Sequence, residues 1–298
     1  MKNPGLVLLV LLNNEAFAHL FSDKAYLKIK YRLLMNEKLN LKNPKTFNEK
    51  LQWLKLFDRK DEYTMMVDKY AVREYIKDTI GEEYLIPLLG VWDNPDDIDF
   101  DSLPNQFVLK CNHNSGLGMY ICKDKSTLDI EKVKKDLKKG LRQNYFITSR
   151  EWPYKNVKRR IVAEQYMEDS TYGELRDYKF YCFGGVPRYI YVSRNLADPV
   201  AGEISFYDME FNEAPFHRND YKMLEGEIVP PASFETMVEY AKTLSQGHKF
   251  LRVDFYDVDG KLFFGELTFY PTSGNMKLEP ENWEYKLGEL ISLPIDQK

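Results

Sequence analysis

Along residues 22–60 the apolar positions recur at helical spacing, as in Leu51, Leu54 and Phe57, and Pro44-Lys45-Thr46-Phe47-Asn48-Glu49 has the form of a helix start. Residues 1–65 are therefore expected to form a helical lead-in. A further helix is expected over 67–80, stopped by Gly81, then a short apolar strand over 84–89 and an acidic loop over 93–101. Beyond that loop the period changes from helical to alternating. "QFVLKCNHNSGLGMYICKD" reads as strand, polar glycine-bearing turn and strand, "LDIEKVKKDLKKGLRQNYF" as a charged helix, and "RIVAEQYM" as a strand. "LRDYKFYCFGGVPRYIYVSR" gives two strands around Gly184-Gly185, and a helix over 234–246 leads into a last hairpin, "RVDFYDVDGKLFFGELTFYPTSGN". The fold class is α+β, with no internal repeat.

That last hairpin carries charge where a strand ordinarily carries apolar residues. With Val258, Asp259 and Gly260 as a three-residue loop, Asp254 lies opposite Phe264, and Glu266 is its diagonal neighbour. Alternation then places Arg252, Asp254, Glu266 and Thr268 on one face, and Val253, Phe255, Phe263, Leu267 and Phe269 on the other. Diagonal neighbours stand about 7–8 Å apart at the backbone, close enough for two carboxylates to converge on one or two magnesium ions. An edge hairpin with a solvated face has the same pattern. A loop of different length would turn Glu266 away.

Two upstream positions carry related chemistry. Lys110 ends an apolar strand and is followed by Asn112, Asn114, Ser115, Gly116 and Gly118, a turn whose backbone N–H groups can approach phosphate oxygens. It has neither the Walker nor the Rossmann spacing, and a plain hairpin turn reads equally well. Glu164 closes the strand "IVAE" and can accept from an amine or a ribose hydroxyl.

Composition narrows the setting. The 298 residues are 44% hydrophobic with a net charge of -4, enough for a sizeable core and against bulk attraction to nucleic acid. Three cysteines in no CxxC pair suit a reducing compartment, and four scattered histidines spell no zinc site. The apolar run Leu6 to Leu12, followed by Ala16-Phe17-Ala18, imitates a secretory signal but also suits a packed terminal helix. It falls well short of the roughly 20 residues that span a bilayer. The lysine-rich helix can steer a polyanion or simply present a solvated face.

Taken in order, "NPKTFNEKLQWLKLFDR", "DKYAVREYI", "FVLKCNHNSGLG", "IVAEQYM", "LRDYKFYCFGG" and "RVDFYDVDGKLFFGELTFYPTSG" resemble the ATP-grasp superfamily. The closest likeness is to its TupA-like branch, associated with polysaccharide and teichuronopeptide biosynthesis. The resemblance implies two α+β lobes gripping ATP behind the helical lead-in. The ATP-grasp domain would cover 66–298, with a nucleotide-gripping lobe at about 84–163 and a metal-binding lobe at about 164–298. It assigns Lys69 and Lys110 to the phosphates, Ser115, Gly116 and Gly118 to the loop over the triphosphate, and Glu164, Gln165 and Tyr166 to adenine and ribose. Asp177 and Lys179 fall where the central sheet faces nucleotide or substrate. Asp254 and Glu266 match the magnesium ligands, and Arg252 is placed to steady an acyl phosphate. Thr268 stands where the family usually has asparagine as third ligand. Ser273-Gly274 resembles an element of D-alanyl-D-alanine ligases.

The implied reaction is carbon–nitrogen ligation, in which ATP with Mg2+ phosphorylates a carboxylate and an amine displaces phosphate, with Lys110 and Arg252 as catalytic residues. The expected substrates are an acidic glycan or sugar carboxylate and an amine. The expected location is cytoplasmic, without an integral membrane segment; peripheral association with membrane-linked glycan machinery is compatible with this. Two other readings stand beside it. Asp257-Val258-Asp259 spells the DxD element of many glycosyltransferases, although aspartate is also favoured in a turn ending at Gly260. A noncatalytic ATP-binding protein is the other.

Overall fold

Residues 4–173, 175–194, 202–226 and 228–297 are described in the computed structural model of the chain. They fall into two units, one of residues 1–59, 148–150 and 169–298, the other of residues 60–147 and 151–168.

The first unit begins with helices α1 (Pro4–Leu12), α2 (Glu15–Ala18), α3 (Asp23–Met35) and α4 (Phe47–Phe57). The start of α4 lies where the sequence placed it. Thr46 Oγ1 accepts from Glu49 N, and the Glu49 carboxylate accepts from the N–H groups of Thr46 and Lys45, a capping box whose cap is worth about 1 kcal/mol. Unlike a surface helix, α4 buries polar side chains along with apolar ones. Their donors are matched: Lys50 Nζ donates to Ile291 O at 2.7 Å, Gln52 Nε2 to Gly274 O at 2.7 Å and Lys55 Nζ to Ser273 Oγ at 2.7 Å. Phe57, expected on the apolar stripe, is exposed, with its ring against Trp53.

The second unit contains α5 (Glu62–Val67), α6 (Val72–Thr79), β1 (Leu88–Trp92), β2 (Phe107–Cys111), β3 (Met119–Cys122), α7 (Ile130–Arg142) and the first part of α8 (Tyr145–Ser149), with β4 (Ile161–Gln165). The single helix expected over 67–80 is broken. Asp68 Oδ1 accepts from the N–H groups of Tyr70 and Ala71, an Asx turn that takes the backbone out of the helix. The strand expected over 84–89 lies at 88–92, because Glu82–Tyr84 closes a 3-10 turn first. The four strands form an antiparallel sheet in the order β1-β4-β2-β3. Val133 and Leu137 of α7 pack with Phe107, Leu109 and Ile161 in its core.

Gly118 is where α7 meets the turn between β2 and β3. Its φ is +74°, and a Cβ there would stand 2.5 Å from Cys111 Sγ and 3.1 Å from Gly140 Cα. Gly116, at φ +82°, has nothing within 4 Å of its would-be Cβ. Gly116→Ala is therefore expected to lose only the left-handed backbone cost, about 1–2 kcal/mol. Gly118→Ala is expected to lose about 2–4 kcal/mol, because overpacking adds to it. Equal losses in urea unfolding of the two variants would show that the packing contributes nothing.

The first unit resumes with β5 (Arg176–Phe183), β6 (Val186–Arg194), β7 (Glu203–Tyr207), β8 (His217–Arg218), α9 (Phe234–Leu244), β9 (Phe250–Val258), β10 (Lys261–Thr268), β11 (Leu278–Glu279) and α10 (Asn282–Glu289). Five of these strands make an antiparallel sheet in the order β10-β9-β5-β6-β7, and β11 pairs with β8. Phe180, Val253, Phe255, Phe264 and Leu267 are buried, and Phe234 of α9 stacks on Phe180. A buried phenylalanine of this kind contributes about 1.5–3 kcal/mol.

The last hairpin differs from the expected register in two compensating ways. Val258 pairs with Lys261, so the loop is the two residues Asp259 and Gly260, both left-handed at φ 52° and 78°. By itself this would turn Glu266 to the wrong face. A bulge at Gly265 inserts one residue and restores it, so that Glu266 stands directly opposite Asp254 instead of diagonal to it. Loopward of the bulge the faces exchange. Phe264, not Phe263, is the apolar partner of Phe255.

Candidate active site

In the first unit the register lines up side chains from four strands in one row. Lys179 of β5 pairs with Tyr191 of β6 on one side and Asp254 of β9 on the other, and Asp254 pairs with Glu266 of β10. Directly paired residues share a face, so Tyr191, Lys179, Asp254 and Glu266 run across it. Tyr181, Arg252 and Thr268 form the next row, and Asp177 and Tyr256 lie on the far side.

The charges of these rows are bonded to one another. Asp254, 0% exposed, accepts from Arg252 Nε and Nη2, both at 2.7 Å, and from Lys179 Nζ at 2.9 Å. Lys179 also meets Asp177 at 2.9 Å. Arg252 Nη2 reaches Glu266 Oε1 at 2.8 Å, and Thr268 Oγ1 donates to the same oxygen at 3.0 Å. Burial opposes the charge on Lys179, but Asp177 and Asp254 outweigh it and hold its pKa well above lysine's ordinary value. Burial is likewise outweighed at Arg252, chiefly by Asp254. At Asp254 burial pushes the carboxyl upward, against the downward pull of Arg252 and Lys179. The donors Asp254, Glu266 and Thr268 are all oxygen and fit a hard dication of the magnesium type. A fixed cation, Arg252, bridges the two carboxylates, and among the described residues no group of three His, Cys, Asp or Glu side chains gathers around a metal position.

The second unit holds the other candidates. Lys110 Nζ meets Glu164 Oε2 at 2.7 Å, and Arg73 Nη1 meets Glu164 Oε1 at 3.4 Å, so one carboxylate spans two cations. Arg73 of α6 was not singled out in the sequence, because its partner Glu164 lies 91 residues further along the chain and no local spacing signals the contact. Lys69 Nζ donates to Asn114 O at 2.8 Å, which lays it on the turn carrying Ser115 and Gly116, both exposed. Gln165 is exposed at the end of β4, and Tyr166 bonds Glu168 with Lys123 beside its ring. The buried Asn112 is architectural, joining Asp68, Lys158 and Arg160. The cysteines are buried and unpaired as thiols; burial pushes Cys111 up to about 11.

The two aspartates of the DxD spelling both accept hydrogen bonds from the protein, Asp257 within its own turn. Asp257 accepts from Ser233 Oγ and from Gly260 N, and Asp259 from the N–H and hydroxyl of Ser170.

Comparison with proteins of curated function gives no match. Among solved structures, the chain is similar to D-alanine–D-alanine ligase from Bacillus anthracis complexed with ATP, at 16% identity and TM-score 0.44, covering 76% of this chain and 63% of that one. It therefore spans less than two thirds of that ligase's length. It is also similar to the D-alanine–D-alanine ligase from Helicobacter pylori, at 14% identity and TM-score 0.43, covering 83% and 69%. A D-cycloserine synthetase matches at 12% identity and TM-score 0.41, covering 78% and 70%. The family model for TupA-like ATP-grasp proteins matches residues 49–292, most of the chain and both groups of charged side chains. The protein belongs to the TupA-like ATP-grasp family.

Proposed function

We propose that the chain is an ATP-dependent carboxylate–amine ligase of cell-surface polysaccharide biosynthesis, acting in the cytoplasm. It joins an amino compound to a carboxylate-bearing glycan or precursor, a uronic acid. The observation that carries this reading is the row Lys179, Asp254 and Glu266 with Arg252 bridging its carboxylates. The γ-phosphoryl group of ATP passes to the carboxylate and ADP leaves; the amine then forms the new C–N bond as phosphate departs.

In this reading Lys69 and Lys110 hold nucleotide phosphates, Glu164, Gln165 and Tyr166 take adenine and ribose, and Ser115, Gly116 and Gly118 form the covering turn. Asp177 and Lys179 face the substrate. Arg252 holds the acyl phosphate, where positioning and electrostatics supply most of the rate. When bound by Asp254, Glu266 and Thr268, magnesium supplies further charge neutralisation to the phosphates. No helix of the described residues is long and apolar enough to cross a membrane.

The test is ADP and phosphate release from MgATP with a panel of uronic acids and amines. A donor and amine together should stimulate release, Glu266→Gln should remove it, and Asp257→Asn with Asp259→Asn should leave it intact. Consumption of UDP-sugars, lost on changing those two aspartates, would establish the glycosyltransferase reading instead. ATP binding without ADP formation for any pair would establish a noncatalytic binder.

A further inference from the structure

Tyr191 belongs to the row of charged side chains, yet the hydrogen bonds of that row leave it out. Its side chain is 4% exposed and is fixed by aromatic neighbours, with the Phe206 ring edge-on at 5.5 Å between centroids and the Tyr181 ring tilted at 6.1 Å. Phenylalanine would pack there equally well. The hydroxyl has no hydrogen-bond partner among the described residues, and it is not one of the polar atoms that the protein seals from solvent. A ligand oxygen can therefore reach it.

Arg252 presents a second unspent donor nearby. Its Nε and Nη2 donate to Asp254 and Glu266, whereas its Nη1 has no partner among the described residues and is likewise not sealed. The guanidinium carbon stands 6.0 Å from the centre of the Tyr191 ring, and Lys179 Nζ stands 5.9 Å from it. One neutral and one cationic donor thus border the same corner of the sheet. At neutral pH a phenol keeps its proton and donates. A hydroxyl that the aromatic packing does not require finds its use in an acceptor that arrives with a ligand.

Position in the sheet says which ligand. Tyr191 of β6 is three strands from Glu266 of β10, about 14 Å at the backbone. The oxygen donors that fit magnesium lie on β9 and β10, so Tyr191 faces the group that receives the phosphoryl group and not the triphosphate. We infer that Tyr191 is a further catalytic residue of the proposed ligation, donating with Arg252 Nη1 to the carboxylate oxygen of the acyl donor that is not phosphorylated. The inference rests on the ligase reading above. As the amine nitrogen forms the C–N bond, the carbonyl π pair moves onto that oxygen. When the pair returns, the C–O bond to phosphate breaks, phosphate leaves and the amine proton passes to solvent. The phenol keeps its own proton throughout, and its hydrogen bond strengthens as the oxygen gains charge.

Tyr191→Phe in the full chain keeps the ring and removes only the donor. Binding is read calorimetrically with D-glucuronate and D-galacturonate, in the presence of Mg2+ and a non-hydrolysable ATP analogue, with D-glucose and D-galactose as the neutral counterparts. At least one uronate should bind the parent chain saturably, and its neutral counterpart should not. Tyr191→Phe should weaken that binding about tenfold or more, with Tm and affinity for the ATP analogue unchanged. With a productive donor and amine, kcat for ADP release should fall by about 10²–10³ while the KM for ATP stays the same. Uronate binding weakened in the variant, with no ADP release from any pair in the parent, would uphold the contact and overturn the ligase reading alone. Turnover or uronate binding unchanged in Tyr191→Phe would overturn the inference and leave the ligase reading standing. No uronate binding to the parent chain, or loss of Tm and nucleotide affinity together in the variant, would also overturn it.

Discussion

Replacing Arg252 with methionine is expected to cost about 3–5 kcal/mol of folding stability and to eliminate ADP formation. Methionine retains much of the side chain's volume, so the loss isolates the charge. Without the guanidinium, Asp254 keeps only Lys179 as a cationic partner, and Lys179 is shared with Asp177. Asp254 and Glu266 then face each other across paired strands, one of them fully buried. The deficit should shrink on acidification. Losing Arg252 removes a pull that opposes burial at Asp254, so its folded pKa rises further. A raised carboxyl pKa favours the folded state below the unfolded value and loses that benefit as pH climbs through the folded one. Guanidinium unfolding at pH 5 and pH 8 reads the difference. Adding Asp254→Asn and Glu266→Gln to Arg252→Met should recover part of the stability and none of the turnover. A deficit under about 1 kcal/mol in the single variant would place the cluster in effective contact with water, as for a surface pair.

The residues of this cluster were legible in the sequence, but the geometry that assembles them was not. Arg252, Asp254, Glu266 and Thr268 could be put on one face by alternation alone. Two local departures then had to cancel: a loop one residue shorter than expected, and a bulge at Gly265. Alternation says nothing about either, and the glycine that permits the bulge resembles any other strand glycine. Lys179 and Asp177 were assigned from family likeness, whereas Tyr191 and Tyr256 went unnoticed. Aromatic residues in strands are ordinary, and only the pairing of β5 with β6 and β9 shows that these two flank charges. The capping box of α4 was legible because its residues lie three apart; the break between α5 and α6 was not, because the Asp68 side chain competes with a helix pattern that is otherwise intact. The strands β7, β8 and β11 were missed, being short and dependent on partners distant in sequence.

Lys110→Met separates binding chemistry from architecture in the second unit. ADP formation is expected to fall by about 10²–10³ in kcat/KM, the scale of removing one fixed electrostatic contact to a transferring group. Stability should fall by about 1–3 kcal/mol, because Glu164 is buried, its side chain 10% exposed against 22% for Lys110, but it retains Arg73 as a second cation. The balance differs at Arg252, whose partner Asp254 is fully buried and is left with Lys179, a cation that it shares with Asp177. The KM for ATP should carry part of the loss and the KM for the amine none, since the proposed contact is with nucleotide phosphate. Glu164→Gln provides the complementary measurement. It frees Lys110 from its ion pair while weakening a contact proposed for adenine and ribose, so it should raise the KM for ATP with a smaller change in kcat. If Lys110→Met instead lost stability in step with activity, its pairing with Glu164 would be its main role. If activity fell less than tenfold with stability intact, Lys69 would be the phosphate ligand that matters, and Lys69→Met would then show the larger loss.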